Sequence, residues 1–165
     1  SGATHYHENL STLGFIVGCG FDENPWAQPG ASISASGSSV LASNDVALQL
    51  TGLPSVTVGY FINSFLGTNA PGAPISPGGS VTGQLCIGGT GVIYGRHTDA
   101  IFNSGLSGTA SLTLDLNLLR NPRDLATLNT SYTAVSDGET WYWQAWYRAT
   151  PTTSEFSNAI GITFR

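Results

Sequence analysis

A stretch near the C-terminus, GETWYWQAWYR at residues 138–148, constrains this chain more than any other. Trp141, Trp143 and Trp146 crowd into it, and its side chains alternate as those of a strand do. Trp141, Trp143, Ala145 and Tyr147 share one face, while Tyr142, Gln144, Trp146 and Arg148 share the other. The closing FSNAIGITF at 156–164 follows the same rule, with Ile160, Ile162 and Phe164 on one side and Gly161, Thr163 and Arg165 on the other. No catalytic motif lies between the two segments. The chain is built as β-sheet first, and any chemistry belongs on its surface.

The rest of the sequence supplies more short strands at sandwich spacing. Ile33 and Ala35 begin one, Val46, Leu48 and Leu50 alternate in the next, and Gly52-Leu-Pro54 turns the chain. Val56, Val58, Tyr60 and Ile62 line a further strand. Residues 81–87 and 92–95 read as strands, and Leu112, Leu114 and Leu116 alternate cleanly with Ser111, Thr113 and Asp115. Residues 67–80 form a long loop broken by Gly and Pro. One helix is expected within 117–131, two turns around 122–128. The predicted fold is all-β: a single antiparallel β-sandwich, Ig-like or jelly-roll-like, of about eight or nine strands. Residues 1–18 form an N-terminal extension and 19–165 the sandwich domain. At 165 residues the chain holds one domain with a real core.

Composition narrows the setting. Charged residues make up only 9%, and neither lysine nor methionine occurs. Such a chain offers few ammonium groups to modifying enzymes and no thioether to oxidants, which suits a protein that must last outside a cell. A net charge of −5 argues against nucleic acid as a partner, since no basic patch is available to displace counterions. No apolar run approaches the roughly 20 residues that cross a bilayer, so no membrane insertion is expected. Ser1 follows no charged-then-apolar leader, and the chain is expected to be a processed, secreted product. Cys19 and Cys86 are the only cysteines, without CxxC spacing or a nearby third ligand, and are expected to form one disulfide. Closing a loop of that size would stabilise the fold by roughly 4 kcal/mol.

From Cys19 onward the order of motifs resembles a secreted bacterial sandwich domain found in large extracellular proteins of planctomycetes and other environmental bacteria. The matching segments are SASGSSVLASND at 34–45, LQLTGLP at 48–54 and GYFINS at 59–64. After these come LCIGG at 85–89 with Arg96, and SGLSGTASLTLDL at 104–116. GETWYWQAWYR at 138–148 and FSNAIGITF at 156–164 complete the series. Ala149 stands where an acidic residue often follows in that pattern, and the leader before Cys19 is unlike it. The resemblance implies an extracellular sandwich and carries no activity with it.

Several features are candidates for chemistry. His5 and His7 point to one side of an extended chain and would share a Cu²⁺ or Zn²⁺ if a third ligand came near; the bland alternative is an exposed polar leader. Trp141, Trp143, Trp146 and Tyr147 are candidates for a sugar-stacking platform, against the expectation that one face of a central strand is core. Acidic residues are scattered, no calcium loop is recognisable, and no GxSxG motif occurs. The leader offers the more telling feature. Leu10, Leu13, Phe15, Ile16 and Val17 make an apolar strand that must be buried, either in its own sheet or at the edge of a neighbour's. These readings converge on a secreted structural subunit of an extracellular fibre, sheath or surface layer. Its partners would be copies of itself or other surface proteins. The alternative is a carbohydrate-binding or adhesion module with polysaccharide as partner. Neither a cofactor nor an enzymatic activity is expected.

Overall fold

The computed structural model describes residues 13–17, 30–67, 80–81, 85–88, 94–122 and 131–165, and for residues 16, 80 and 81 the backbone alone. Its strands are β1 (Phe15–Val17), β2 (Ser32–Ser36), β3 (Ala47–Thr51), β4 (Val58–Ser64), β5 (Ser80–Val81), β6 (Gly95–Arg96) and β7 (Phe102–Asn103). They continue with β8 (Ala110–Thr113), β9 (Leu119–Arg120), β10 (Tyr132–Thr133), β11 (Thr140–Tyr147), β12 (Thr153–Phe156) and β13 (Ala159–Thr163). The only helical element among the described residues is a 3-10 turn at Leu41–Ser43. The chain is an all-β sandwich.

The strand made from the tryptophan-rich segment is the axis of the larger sheet. β11 pairs antiparallel with β4 along six residues, Tyr142↔Ser64 through Tyr147↔Gly59, on one side. On its other side it pairs with β13 and then β12, which act as one strand broken at Ser157 and Asn158. At the break the Ser157 hydroxyl accepts the Ala145 N–H at 2.9 Å, and Ala145 O accepts the Ser157 N–H at 2.9 Å, so the ladder is kept across the kink. β6 and β7 likewise both pair with β4. The excess over the eight or nine strands expected comes from such division of longer ribbons. β5 joins β12 in parallel, an exception to the antiparallel rule.

The smaller sheet is β2-β3-β8. Its alternation dictates its packing: Ile33, Ala35, Val46, Leu48, Leu50, Leu114 and Leu116 are buried, while Gln49, Thr51, Ser111 and Thr113 face out. Against this set the larger sheet lays Trp141, Trp143, Ala145, Tyr147, Ile160, Ile162 and Phe164, all at 4% exposure or less. The rings interlock: Trp141 stacks near Trp143 with centroids 6.3 Å apart, and Phe164 meets Trp143 edge-on at 6.0 Å. Each such side chain stabilises the fold by about 1.5–3 kcal/mol through burial, before packing is counted.

One expectation is corrected. Val56 lies outside the strand, in a turn, at φ 56°, a left-handed conformation rare for a β-branched residue. The turn is held there by its neighbour: Gly105 O accepts the Val56 N–H at 2.7 Å, the Ser104 hydroxyl accepts the Thr57 N–H at 2.8 Å and itself donates to Pro54 O at 2.6 Å. Ahead of the two turns expected to be helical, Leu119 and Arg120 form β9, paired with β10, and Asn121 N–H bonds across to Ser131 O. Residues 123–130, which hold most of the expected helix, lie outside the described residues, as do most of the 67–80 loop and residues 92 and 93.

Candidate functional site

The four sugar-stacking candidates on β11 divide between its two faces. Trp141 and Trp143 are fully buried and Tyr147 is 1% exposed, because their shared face is the one turned to the smaller sheet. Only Trp146, on the opposite face, stays half-buried. Tyr147 is tied into the interior: its hydroxyl donates to Glu155 Oε2 at 2.7 Å and accepts the Ala31 N–H at 3.2 Å. Burial, reinforced by the Glu155 carboxylate, pushes its pKa up to about 12.

The outer face of the larger sheet is where polar and aromatic groups meet. Val17, Ile62, Leu85, Cys86, Ile87, Tyr94, Phe156 and Ala159 form a second apolar cluster there, with Tyr60, Tyr142 and Trp146 against it. Gln144 is fully buried at its centre. Its Oε1 accepts the Cys86 N–H at 2.9 Å, and its Nε2 donates to Ser157 O at 2.7 Å and lies 3.5 Å from Cys86 Sγ. A buried amide thus pins the 85–88 segment to the sheet. Cys86 is fully buried and is not a free thiol; Cys19 lies outside the described residues.

Beside this cluster the face opens. Tyr60 and Trp146 are cross-strand partners, with ring centroids 5.0 Å apart and planes 28° from parallel. The Arg148 guanidinium lies 5.1 Å from the Trp146 ring centre. Arg96, opposite Ile62, lies 5.1 Å from the Tyr94 ring centre and donates to the Tyr94 hydroxyl at 2.8 Å. Burial raises the Tyr60 phenol above its ordinary pKa, while the charges of Arg96 and Arg148 pull it back. Tyr60 escaped sequence reasoning. Its alternation with Val58 and Ile62 was visible, but the register that sets it against Trp146 was not.

A polar knot stands at the β6–β9 margin. Arg120 pairs with Asp99 at 3.0 Å and lies 4.4 Å from the Tyr132 ring centre, and the Tyr132 hydroxyl donates to Asp99 Oδ2 at 3.1 Å. Although burial acts to raise the Asp99 pKa, the bonds from Arg120 and Tyr132 hold it below its ordinary value. His97 is 6% exposed, and its Nε2 has no hydrogen-bond partner among the described residues. Its pKa falls to about 4, through burial first and the Arg120 charge second, with Asp99 opposing.

The expected assembly strand is placed in its own chain. β1 pairs antiparallel with β13: Phe15↔Gly161, Ile16↔Ile160, Val17↔Ala159. Phe15 lies across Gly161, where a Cβ would meet its ring at 2.6 Å, and it touches Tyr142 edge-on at 6.3 Å. Val17 is buried in the outer cluster, and Leu13 packs on the main core with its N–H bonded to Ala35 O of the smaller sheet. Leu10, His5 and His7 lie outside the described residues. Among the described residues no group of three or more His, Cys, Asp or Glu side chains is placed to hold a metal, and no helix is long and apolar enough to cross a membrane. A wide groove of about 680 Å³ between β3, β8 and residues 100–103 is lined by uncharged side chains, among them Gln49, Thr51, Asn103 and Ser111. No protein-family model and no curated protein matches the chain.

Proposed function

We propose that the protein is a secreted structural subunit of an extracellular fibre, sheath or surface layer, assembled by exchange of β1 between neighbouring copies. The observation that carries the reading is the slot on β13. Gly161 lacks the Cβ that would exclude Phe15, and the slot is made by β13 and β11 rather than by the leader. A slot so built takes an identical strand from a neighbour as well as from its own chain, and exchange of identical elements is a low-cost route to assembly. The low charge, the absence of lysine and the resemblance to extracellular sandwich domains support the same reading, and with it a location outside the cell.

The durable character extends to the cysteines. Cys86 lies buried beneath Gln144, and a Cys19–Cys86 disulfide would anchor the segment just after β1 to the outer cluster. Intact mass with and without reductant, followed by alkylation, tests the bond. Two thiols that alkylate in the folded, unreduced protein would refute it.

Assembly is tested by deleting residues 1–17 and, separately, by Gly161→Val, with negative-stain microscopy and sedimentation of each. The exchange reading expects the wild type to form fibres or higher oligomers and both variants to remain folded and monomeric. A truncated protein that still polymerises would overturn it and leave lateral contact between sandwich faces as the mode of assembly.

A further inference from the structure

We propose that the outer face of the larger sheet, around Tyr60 and Trp146, binds an acidic polysaccharide, a sugar chain bearing carboxylate or sulfate groups. The site goes beyond the assembly reading and does not depend on it.

Three observations carry the inference. The first is shape. Tyr60 and Trp146 stack on each other, 5.0 Å between centroids, and stay half-buried, so their outer edges, with Val58 beside them 45% exposed, form an apolar ridge rather than a sealed surface. The C–H groups of a sugar can lie along such a ridge while their hydroxyls reach polar neighbours.

The second is charge. Arg96 stands opposite Ile62, on the face that Tyr60 shares, and the Arg148 guanidinium lies 5.1 Å from the Trp146 ring centre, so both border the aromatic pair. In a chain of net charge −5, the ion pair resolved among the described residues joins Arg120 to Asp99 and leaves Arg96 and Arg148 without a carboxylate partner there. Two guanidinium groups without acids on one face of an acidic protein make a local anion site. A planar guanidinium matches carboxylate and sulfate through two parallel N–H bonds.

The third is readiness. Arg96 Nη2 is held by the Tyr94 hydroxyl and Arg148 rests on the Trp146 ring, so both cations are positioned before a ligand arrives. Preorganisation of this kind reduces what ordering subtracts from affinity. Single-stranded nucleic acid also uses stacking and arginine, but the overall negative charge opposes its approach.

The test is affinity electrophoresis of the intact chain in gels containing polygalacturonate, dextran sulfate or neutral dextran. Retardation by polygalacturonate or dextran sulfate and not by neutral dextran is expected, and which of the two binds more tightly separates carboxylate from sulfate recognition. Arg148→Gln and Arg96→Gln should each weaken binding roughly tenfold or more, and Trp146→Leu similarly, while Arg165→Gln should leave it unchanged. Melting temperatures of the arginine variants check that the sheet is intact. No retardation by either polyanion, or equal loss from Arg165→Gln, would overturn the proposal. So would binding to single-stranded DNA or polyglutamate as tight as to the polysaccharides. Repeating the gel with the chain lacking residues 1–17 separates the two readings: retained binding with lost assembly leaves both standing, and binding lost only on truncation assigns it to the polymer and overturns this site.

Discussion

The two faces of β11 teach different lessons about one strand. Its inner face carries Trp141, Trp143, Ala145 and Tyr147, sealed against the smaller sheet, and its outer face carries Tyr142, Gln144 and Trp146, with Arg148 just beyond. Inside, stability comes from volume filled by rings. Outside, it comes from directed contacts: an amide with its partners, a guanidinium over an indole, a phenylalanine on a glycine. The inner face is sealed, whereas the outer face leaves Tyr142, Trp146 and Arg148 half-buried.

The largest break in that comparison should come from Trp143→Ala. The ring is fully buried between Trp141 and Phe164, and its removal leaves a cavity that β-strands on both sides cannot collapse into. A loss of about 3–5 kcal/mol is expected in chemical denaturation. Trp146→Ala, on the open face, should lose less than half as much. Equal losses would mean that the outer face is as closed as the inner one.

Next in size is a pH effect at the sheet's margin. The His97 pKa is about 4 in the folded protein against 6.5 for an ordinary histidine, so between those values the unfolded chain binds the extra proton. Stability is therefore full above about pH 6.5 and falls as pH drops to about 4, by up to about 3 kcal/mol. Asp99, held below its ordinary pKa, adds a further loss at lower pH as it protonates. Urea titrations across this range should show the slope, and His97→Phe should flatten it above pH 4. An unchanged slope in the variant would show that His97 stays open to water.

Gln144→Leu tests the directed contacts. The volume is nearly kept, but Cys86 N–H and Ser157 O lose a partner in a buried place, at about 1–3 kcal/mol. The loss should be confined to the 85–88 segment in hydrogen exchange. If exchange rises equally across β3 and β8, the amide supports the whole sandwich rather than its outer cover.

The inner face is largely legible in the amino-acid pattern. Val46, Leu48 and Leu50, then Leu114 and Leu116 with the part-buried Leu112, and Ile160, Ile162 and Phe164 all turn inward as their period of two requires. Alternation names the members of a face, but it does not say which face is covered or what lies opposite. Gln144 reads as an outward polar residue because the 85–88 segment that covers it is distant in sequence. Tyr60 is hidden for the same reason, since its role depends on pairing with Trp146. Val56 continues the strand pattern, yet its N–H bond to Gly105 O and the Thr57 N–H bond to the Ser104 hydroxyl draw it into a turn. In each case a long-range contact decides what local pattern leaves open.

The smallest effect is expected where β1 meets the outer face. Phe15 is 49% exposed, and its ring rests on Gly161 and against the edge of Tyr142. Half of an aromatic side chain leaving such a site loses roughly 1 kcal/mol, well below the cost of a buried ring. Phe15→Ala should therefore lower the melting temperature only slightly and leave the inner tryptophan fluorescence unchanged. It should, however, loosen β1, and amide exchange along β1 itself should quicken while exchange in β3 does not. Gly161→Val, which fills the slot from the other side, should loosen the same strand. A Phe15→Ala loss as large as that of Trp143→Ala would place β1 inside the cooperative core. Its exchange between copies would then require unfolding the domain, and the division between a structural inner face and an available outer one would fail at that edge.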